Sequence, residues 1–474
     1  MVFHSIAFIN FFIIVYGVGL FLPLISTSNQ HYLYLKDRLY KLFLLGASYY
    51  FYGYWDYRFL SLIVISTTID YWAGHKIFNT PFQNKRKTFL AISIISNLSI
   101  LGFFKYYNFF MDSAGVFLIS WGLALSHLDI VLPLGISFYT FQSMSYSLDI
   151  YFKRIKPVNS IANFALYVAF FPQLVAGPIV RASYFLPQLL RPINLTVENL
   201  FNGFQIFLFG MFLKVVLADN IAIVVDPIFF NPQNYGSIMV WIGVIGYSIQ
   251  IFCDFFGYSE MAIGLALIMG FYLPINFRTP YLATNLNDFW RRWHISLSSW
   301  LRDYLYIPLG GNRKGPLRTS IAVLITFSLG GLWHGADWRF VLWGLFHAFG
   351  LLAINNLRLL QFNFLHNFFK WLITYVFVCF GWVLFRSENL EIAKTIYLKL
   401  LFIHESIGSK IIAPETLFII PCIILIHIWL SRVKEDAVYF KLGSPTFYLY
   451  TTFMMYSVIL FAPLQPKNFI YFQF

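Results

Sequence analysis

His334 is the residue of this chain whose type and setting point most directly to chemistry. It lies in the sequence LGGLWHG at residues 329–335, which closes an apolar run that begins at residue 321. An ionisable side chain at membrane depth is energetically costly, so its presence indicates a functional role. Burial disfavours the charged imidazole, and a neutral imidazole can take a proton from a reacting hydroxyl group. We therefore predict that His334 acts as a general base.

Three glycines surround His334 in this motif, and two interpretations of them are open. They could let backbone or substrate approach closely, because glycine has no side chain. They could also let two helices pack tightly, a role for which small residues are common in membranes. The three are Gly330, Gly331 and Gly335.

A second histidine, His294, lies in the aromatic and basic sequence FWRRWHISLSSWLRDY at residues 289–304. At about 100° per residue, the apolar residues of this segment form one stripe of a helix: Trp290, Trp293, Leu297, Trp300, Leu301 and Tyr304. The pattern predicts a single helix lying in the membrane interface. His294 is on the flank of the stripe, where a structural role and a catalytic role are both open. The sequence PLGGNRKG that follows predicts a turn and lacks the ending of a phosphate-binding P-loop.

The segment 278–318 is strongly basic, with seven Arg or Lys residues against two Asp residues and a net charge of +5. Basic loops remain on the cytoplasmic side of a membrane, so we predict that side for this segment. Topology and attraction to anionic lipid could explain the charge. It could also form a docking surface for a polyanionic donor such as an acyl-coenzyme A, with five candidate contacts: Arg291, Arg292, Arg302, Arg313 and Lys314.

Composition places the whole chain in the membrane. Its 474 residues are 59% hydrophobic and 11% charged, with a mean hydropathy of +0.68, whereas soluble domains have roughly 25% charged residues. We predict an all-α polytopic protein with about eleven spans, together with re-entrant or interfacial helices where the apolar runs are shorter than a span. One membrane domain is predicted for residues 1–474. Binding to nucleic acid is excluded, because the positive charge lies beside a membrane.

The N-terminus and the cysteines add no further domain or site. The first residues lack the basic region and cleavage site of a secretory signal, so we expect them to form the first span. Cys253, Cys379 and Cys422 are isolated in apolar segments. Their spacing indicates neither a disulfide framework nor a metal site, and no metal is expected.

The C-terminal residues 465–474 form a short aromatic tail that contains one hydroxyl, on Tyr471. Pro463 and Pro466 are expected to end the last span before it. A tyrosine at a membrane interface is commonly an anchor. The phenol is also capable of nucleophilic attack, so a role in covalent catalysis is open.

Long motifs in this chain resemble the membrane-bound O-acyltransferase family. The sequence FWRRWHISLSSWLRDYLYIPLGGNRKG followed by LGGLWHG is similar to its bacterial branch, above all to the membrane subunits that acetylate alginate and peptidoglycan. Further similar stretches are LPLGISFYTFQ, FFPQLVAGPIVR, DFFGYSEMAIGLAL and the terminal FIYFQF. The usual FSGYSD of the family is FFGYSE here, so Phe256 and Glu260 depart from the pattern.

The resemblance implies a fold, a reaction and partners. It implies tilted helices around a central tunnel in the bacterial inner membrane, with His334 as the catalytic residue and His294 lining the same site. Acetyl-CoA from the cytoplasm would be the donor, and an exported polysaccharide the acceptor. An extracytoplasmic esterase-like partner of the SGNH type would complete the transfer. Because the FIYFQF-type ending recurs in glycan acyltransferases, we hypothesise that Tyr471 carries the acetyl group.

Two alternatives remain open at this stage. A related enzyme could transfer D-alanine to teichoic acids, or could acylate lipids or proteins. A transporter would also be polytopic, but transporters typically show internal repeats or paired broken helices, and this sequence shows no repeat. The acceptor polysaccharide is also open, since alginate, cellulose, peptidoglycan or another exopolysaccharide would fit the motifs.

Overall fold

The computed structural model describes residues 1, 3, 5–24, 30–121, 127–175, 177–357, 367–402, 417–433, 440–463, 467 and 469–470. Across these ranges the regular structure is helical, without strands. The prediction of an all-α polytopic membrane protein is confirmed. The total of about eleven spans and the central tunnel stay predictions, as does the single domain.

Twenty α-helices lie within the described ranges. They are α1 (Ile6–Leu24), α2 (Gln30–Asp56), α3 (Leu60–Asn79), α4 (Gln83–Leu101), α5 (Tyr107–Ser120), α6 (Ile136–Tyr151), α7 (Ile161–Ala169), α8 (Phe171–Leu174), α9 (Ala182–Leu189), α10 (Val197–Met211), α11 (Asp219–Phe230), α12 (Ser237–Ile268), α13 (Leu286–Arg292), α14 (Ile295–Leu301), α15 (Pro316–His334), α16 (Trp338–Leu357), α17 (Asn367–Arg386), α18 (Leu390–Leu401), α19 (Ile419–Arg432) and α20 (Pro445–Phe461). The last helix ends just before Pro463, as expected.

Wider π-helical turns continue three of these helices. They are Gly102–Tyr106 after α4, Phe212–Ala218 after α10 and Arg302–Tyr306 after α14. Such turns are rare, and they occur frequently at functional sites. Single 3₁₀ turns occur at Tyr57–Phe59, Pro232–Asn234 and Pro280–Leu282.

Five helical stretches within the described ranges are long and apolar enough to cross a membrane. They are Gln83–Gly115, Val197–Phe230, Ser237–Ile268, Pro316–His334 and Asn367–Arg386. Three apolar helices are shorter, at Ile6–Leu20, Trp338–Ile354 and Ile419–Arg432. These shorter helices agree with the expectation that some apolar runs fall below the length of a straight span.

Backbone contacts divide the chain into two compact units. The first consists of Met1–Phe207 and Met261–Pro274, and its core contains a buried carboxylate on α3. Asp70 accepts hydrogen bonds from Ser93 on α4, from Ser143 on α6 and from Asn97, whose Nδ2 lies 2.8 Å from Oδ2. Buried carboxylates are tolerated when donors surround them, so this cluster joins α3, α4 and α6.

The second unit consists of Leu208–Glu260 and Ile275–Phe474, and it contains both histidines of interest. Its helices α15 and α16 form an antiparallel pair in close backbone contact. A methyl group on Gly331 would collide with the carbonyl oxygen of Phe340, and one on Gly344 would collide with that of Phe327. These glycines therefore allow the two helices to approach, and α15 carries His334 at its last position.

We predict that Gly331→Ala lowers the free energy of unfolding by about 2 kcal/mol, because overpacking a well-packed contact typically has that effect. Gly330→Ala is the matched control, since a methyl group there would lie 3.1 Å from the mobile end of the Leu301 side chain. Alanine is also the better helix former by about 1 kcal/mol. Thermal unfolding of both variants in detergent measures the difference. Equal melting temperatures would contradict the packing role of Gly331.

A candidate active site around two buried histidines

His334 is the last residue of α15, and its side chain is only 6% exposed. Aromatic rings enclose it. The centroids of Trp343 on α16 and of Phe385 on α17 each lie 5.2 Å from the imidazole centroid, and Trp333 stacks edge-on at 5.0 Å. Three helices therefore hold the ring in a pocket lined by aromatic side chains.

His294 lies at a break between α13 and α14, so the prediction of a single interfacial helix is wrong. Its φ of 44° is left-handed, which ends α13 and lets α14 begin with the next residue. Two backbone hydrogen bonds to the segment before α13 hold the break: the Ile295 amide donates to the Asn276 carbonyl (2.9 Å), and the Arg278 amide donates to the Arg292 carbonyl (3.0 Å). The break turns His294 inward, and it is 1% exposed.

The structure brings the two histidines together. Their ring centroids are 6.5 Å apart, too far for a direct hydrogen bond between the imidazoles. A third group, such as a reacting hydroxyl, is needed to connect them. Phe255 on α12 packs edge-on against His294 at 4.6 Å, so α12 forms another wall of the site.

Asn276 orients His294, and the sequence analysis did not identify it. Its Oδ1 accepts from the backbone amide of Ser296 (3.2 Å), which identifies that atom as the oxygen. The Nδ1 atom of His294 lies 3.2 Å from the same oxygen. Nδ1 must therefore carry the proton, because two acceptors cannot bond. Nδ2 of Asn276 donates to Ser259 Oγ (3.1 Å), which fixes the amide.

This tautomer leaves Nε2 of His294 as a proton acceptor. Nε2 is buried and has no hydrogen-bond partner in the described part of the chain. Burial lowers the pKa of His294 to about 3, so the imidazole is neutral at physiological pH. A neutral imidazole with a fixed tautomer and an open nitrogen can accept a hydrogen bond from a reacting hydroxyl group.

The five predicted donor-binding residues differ in exposure and in their acidic partners. Arg292 is half-buried and forms an ion pair with Asp288 (2.8 Å), and Arg302 forms one with Asp303 (2.6 Å). The remaining three are exposed, and none is ion-paired within the described ranges: Arg291, Arg313 and Lys314. Exposed basic side chains without acidic partners remain able to bind an anion.

The structure describes most of the other predicted positions. Gly331 packs against α16, and a methyl group on Gly335 would collide with the Phe340 ring, so the helix-packing interpretation accounts for both. Phe256 stacks on Phe252 at 5.2 Å, and Glu260 is 5% exposed. Tyr471 lies outside the described residues.

Comparison with known proteins identifies the family. The profile of the MBOAT, or membrane-bound O-acyltransferase, family matches residues 56–393, a stretch that contains both histidines. The chain belongs to the membrane-bound O-acyltransferase family. The family prediction made from the sequence motifs is therefore confirmed, and with it the prediction that the protein is an O-acyltransferase.

Several bacterial proteins are similar to this membrane-bound O-acyltransferase. A protein of Pseudomonas putida named as an alginate O-acetylase is 41% identical over 401 residues, covering 84% of this chain and 79% of its own. A peptidoglycan O-acetyltransferase of Helicobacter pylori is 40% identical over 390 residues, covering 76% and 73%. A teichoic acid D-alanyltransferase of Bacillus subtilis is 29% identical over 279 residues, covering 54% and 69%.

We predict that Asn276→Leu lowers the acyl-transfer rate of this membrane-bound O-acyltransferase about tenfold, the factor that corresponds to one net hydrogen bond. Without the amide oxygen, the His294 ring loses the contact that fixes its tautomer. Ser259→Ala is the matched control, because it removes a partner of Asn276 and leaves the contact to His294. The acyl-transfer rate of each purified variant, relative to the wild type, measures both effects. Wild-type turnover in a folded Asn276→Leu variant would rule out the orienting role.

Proposed function

We propose that this protein takes acetyl groups from cytoplasmic acetyl-CoA and passes them across the bacterial inner membrane for O-acetylation of an exported polysaccharide. The observation that carries the proposal is the pair of buried histidines, 6.5 Å apart, in a chain about 40% identical to proteins named for alginate and peptidoglycan acetylation. That identity extends over three quarters or more of this chain, whereas the match to the teichoic acid enzyme covers 54%.

The first step of the proposed reaction loads the acetyl group onto Tyr471. The phenol oxygen attacks the thioester carbonyl carbon while a histidine takes the phenol proton. We assign this base to His334, with His294 as a second neutral acceptor beside it. The carbon–sulfur bond breaks, a phenyl ester forms, and the proton passes to the departing thiolate. Coenzyme A leaves as the free thiol, so atoms and charge balance.

The second step hands the acetyl group to the glycan. A hydroxyl of the polysaccharide, activated by an extracytoplasmic SGNH-type partner, attacks the ester carbonyl. The new ester forms on the glycan, and Tyr471 leaves as the phenol after it regains a proton. Division of one transfer into two steps is the usual advantage of covalent catalysis. It also lets the donor remain on the cytoplasmic face while the acceptor stays outside.

The basic segment 278–318 is proposed to bind the phosphates of acetyl-CoA. Arg291, Arg313 and Lys314 are exposed and lack acidic partners within the described residues, so phosphate groups can reach them. Arg292 and Arg302 already pair with aspartates, so we expect them to contribute less. The positive-inside rule would place the segment on the cytoplasmic face, where the donor is made.

We predict that His334→Ala abolishes measurable acetyl transfer while the protein still inserts, because loss of a general base commonly reduces the rate 10²–10⁴-fold. His294→Ala should be comparable or milder. The assay supplies radiolabelled acetyl-CoA to membrane vesicles whose cytoplasmic face points outward. Vesicles of the opposite orientation and a D-alanyl thioester donor serve as controls. Wild-type transfer by His334→Ala would contradict the assignment of the base, and transfer only from the D-alanyl donor would favour the teichoic acid alternative.

We predict that Tyr471→Phe eliminates glycan acetylation without affecting insertion, because phenylalanine keeps the ring and lacks the attacking oxygen. Mass spectrometry of the C-terminal peptide should detect an acetyl group in the wild type and none in the variant. Tyr448→Phe controls for the loss of a tyrosine hydroxyl, because Tyr448 is an exposed residue of α20 outside the C-terminal tail. If Tyr471→Phe acetylates its glycan at the wild-type rate, the acetyl group passes directly from coenzyme A to the partner.

A further inference from the structure

Three charged side chains form a buried cluster in the second unit, outside the histidine pair. The ammonium group of Lys214 lies 2.7 Å from Asp219 Oδ1 and 2.8 Å from Asp254 Oδ1, and each of the three side chains is at most 3% exposed. Lys214 belongs to the π-helical turn Phe212–Ala218, and Asp254 belongs to α12. Because burial of charge is costly, a cluster of this kind in an apolar protein requires an explanation.

The cluster contacts the end of the chain. The second oxygen of Asp254, Oδ2, accepts a hydrogen bond from the backbone amide of Ile470 at 2.7 Å. Phe469 and Ile470 are at most 2% exposed. The Phe469 ring lies 4.6 Å from the Tyr258 ring and 5.8 Å from the Phe255 ring. A backbone hydrogen bond and two aromatic contacts therefore dock residues 469 and 470 on one face of α12.

A second carboxylate holds the start of the same segment. Lys467 pairs with Asp226, and Asp226 also accepts from Arg386 at 3.0 Å. The tail is thus tied at two points three residues apart. Lys467 is 38% exposed, so the outer ion pair contributes little, and the buried contact at Ile470 is the stronger of the two.

The docked tail and the candidate active site share α12. Phe255 follows Asp254 in the chain and packs against both Phe469 and His294. Stability alone does not explain these buried ion pairs, because replacement of such pairs by apolar residues is often neutral or stabilising. The charges instead supply a directional acceptor for one backbone amide, and that amide belongs to the residue before Tyr471.

We propose that Asp254, paired with Lys214, is a positioning residue that docks the C-terminal tail against α12 beside His294. Lys214 pairs with one carboxylate oxygen of Asp254, and the other oxygen accepts from the Ile470 amide. The importance of this docking for acetyl transfer rests on the proposed function, in which Tyr471 carries the acetyl group. The docking itself does not depend on it.

Trypsin cleavage after Lys467 tests the docking directly, because it releases the heptapeptide NFIYFQF and its rate follows the population of undocked tail. Ile470→Pro deletes the amide donor and leaves the charge cluster intact. We expect it to raise the release rate about tenfold, as for loss of one hydrogen bond. Ile470→Val keeps the donor and loses one buried methylene group, so it should release the peptide more slowly than Ile470→Pro. Asp254→Leu should release it faster than Ile470→Pro.

Melting temperature and kinetics separate positioning from general stability. Ile470→Pro should melt like Ile470→Val, because both variants replace the same buried side chain with a smaller apolar one and differ in the backbone amide. It should lower kcat for tail acetylation while the KM for acetyl-CoA stays constant. Equal peptide release from wild type and Ile470→Pro would overturn the docking proposal. If release increases as expected but Tyr471→Phe remains active, the docking stands and the acetyl-carrier function fails.

Discussion

Several buried polar side chains in this protein obtain their hydrogen bonds from other buried groups, because apolar helices surround them and unpaired polar groups are costly there. Asp70 satisfies its carboxylate with donors from two neighbouring helices. The side-chain amide of Asn276 donates to Ser259 and accepts from the backbone amide of Ser296, two residues after His294. Lys214 bridges two carboxylates. Within each unit, a few hydrogen bonds and ion pairs link helices whose other contacts are mainly apolar.

The residues suited to chemistry lie where helices end or break. His334 is the last residue of α15, and His294 separates α13 from α14. Helix ends leave backbone groups without partners inside the helix, so other segments must approach to supply them. The backbone hydrogen bonds of Asn276 and Arg278 to the residues on either side of His294 are of this kind. The segment that supplies these backbone hydrogen bonds also brings the Asn276 side chain to the His294 imidazole. One segment therefore both pairs the backbone groups at the helix break and orients the ring.

Ile470, which precedes the proposed acetyl carrier in the sequence, and His294 contact the same helix, α12. Asp254 and Phe255 are adjacent on α12, and they contact the tail backbone and the His294 ring, respectively. In such an arrangement, a covalent carrier need not be a mobile arm. A fixed tail would restrict the freedom of the attacking hydroxyl before reaction, and positioning of this kind can supply a large part of a rate enhancement.

The sequence alone determined the helical membrane class and the family, and it identified His294 and His334 as candidate site residues. It could do so because hydropathy and long motifs are local properties of the chain. The same local reasoning failed at residues 289–304, where the apolar stripe predicted one helix and a left-handed His294 divides it. Only the tertiary structure showed that Asn276 orients His294 and that Asp254 holds Ile470, 216 residues away. These contacts join residues that are distant in sequence. Sequence periodicity does not predict them, because they depend on how the helices pack.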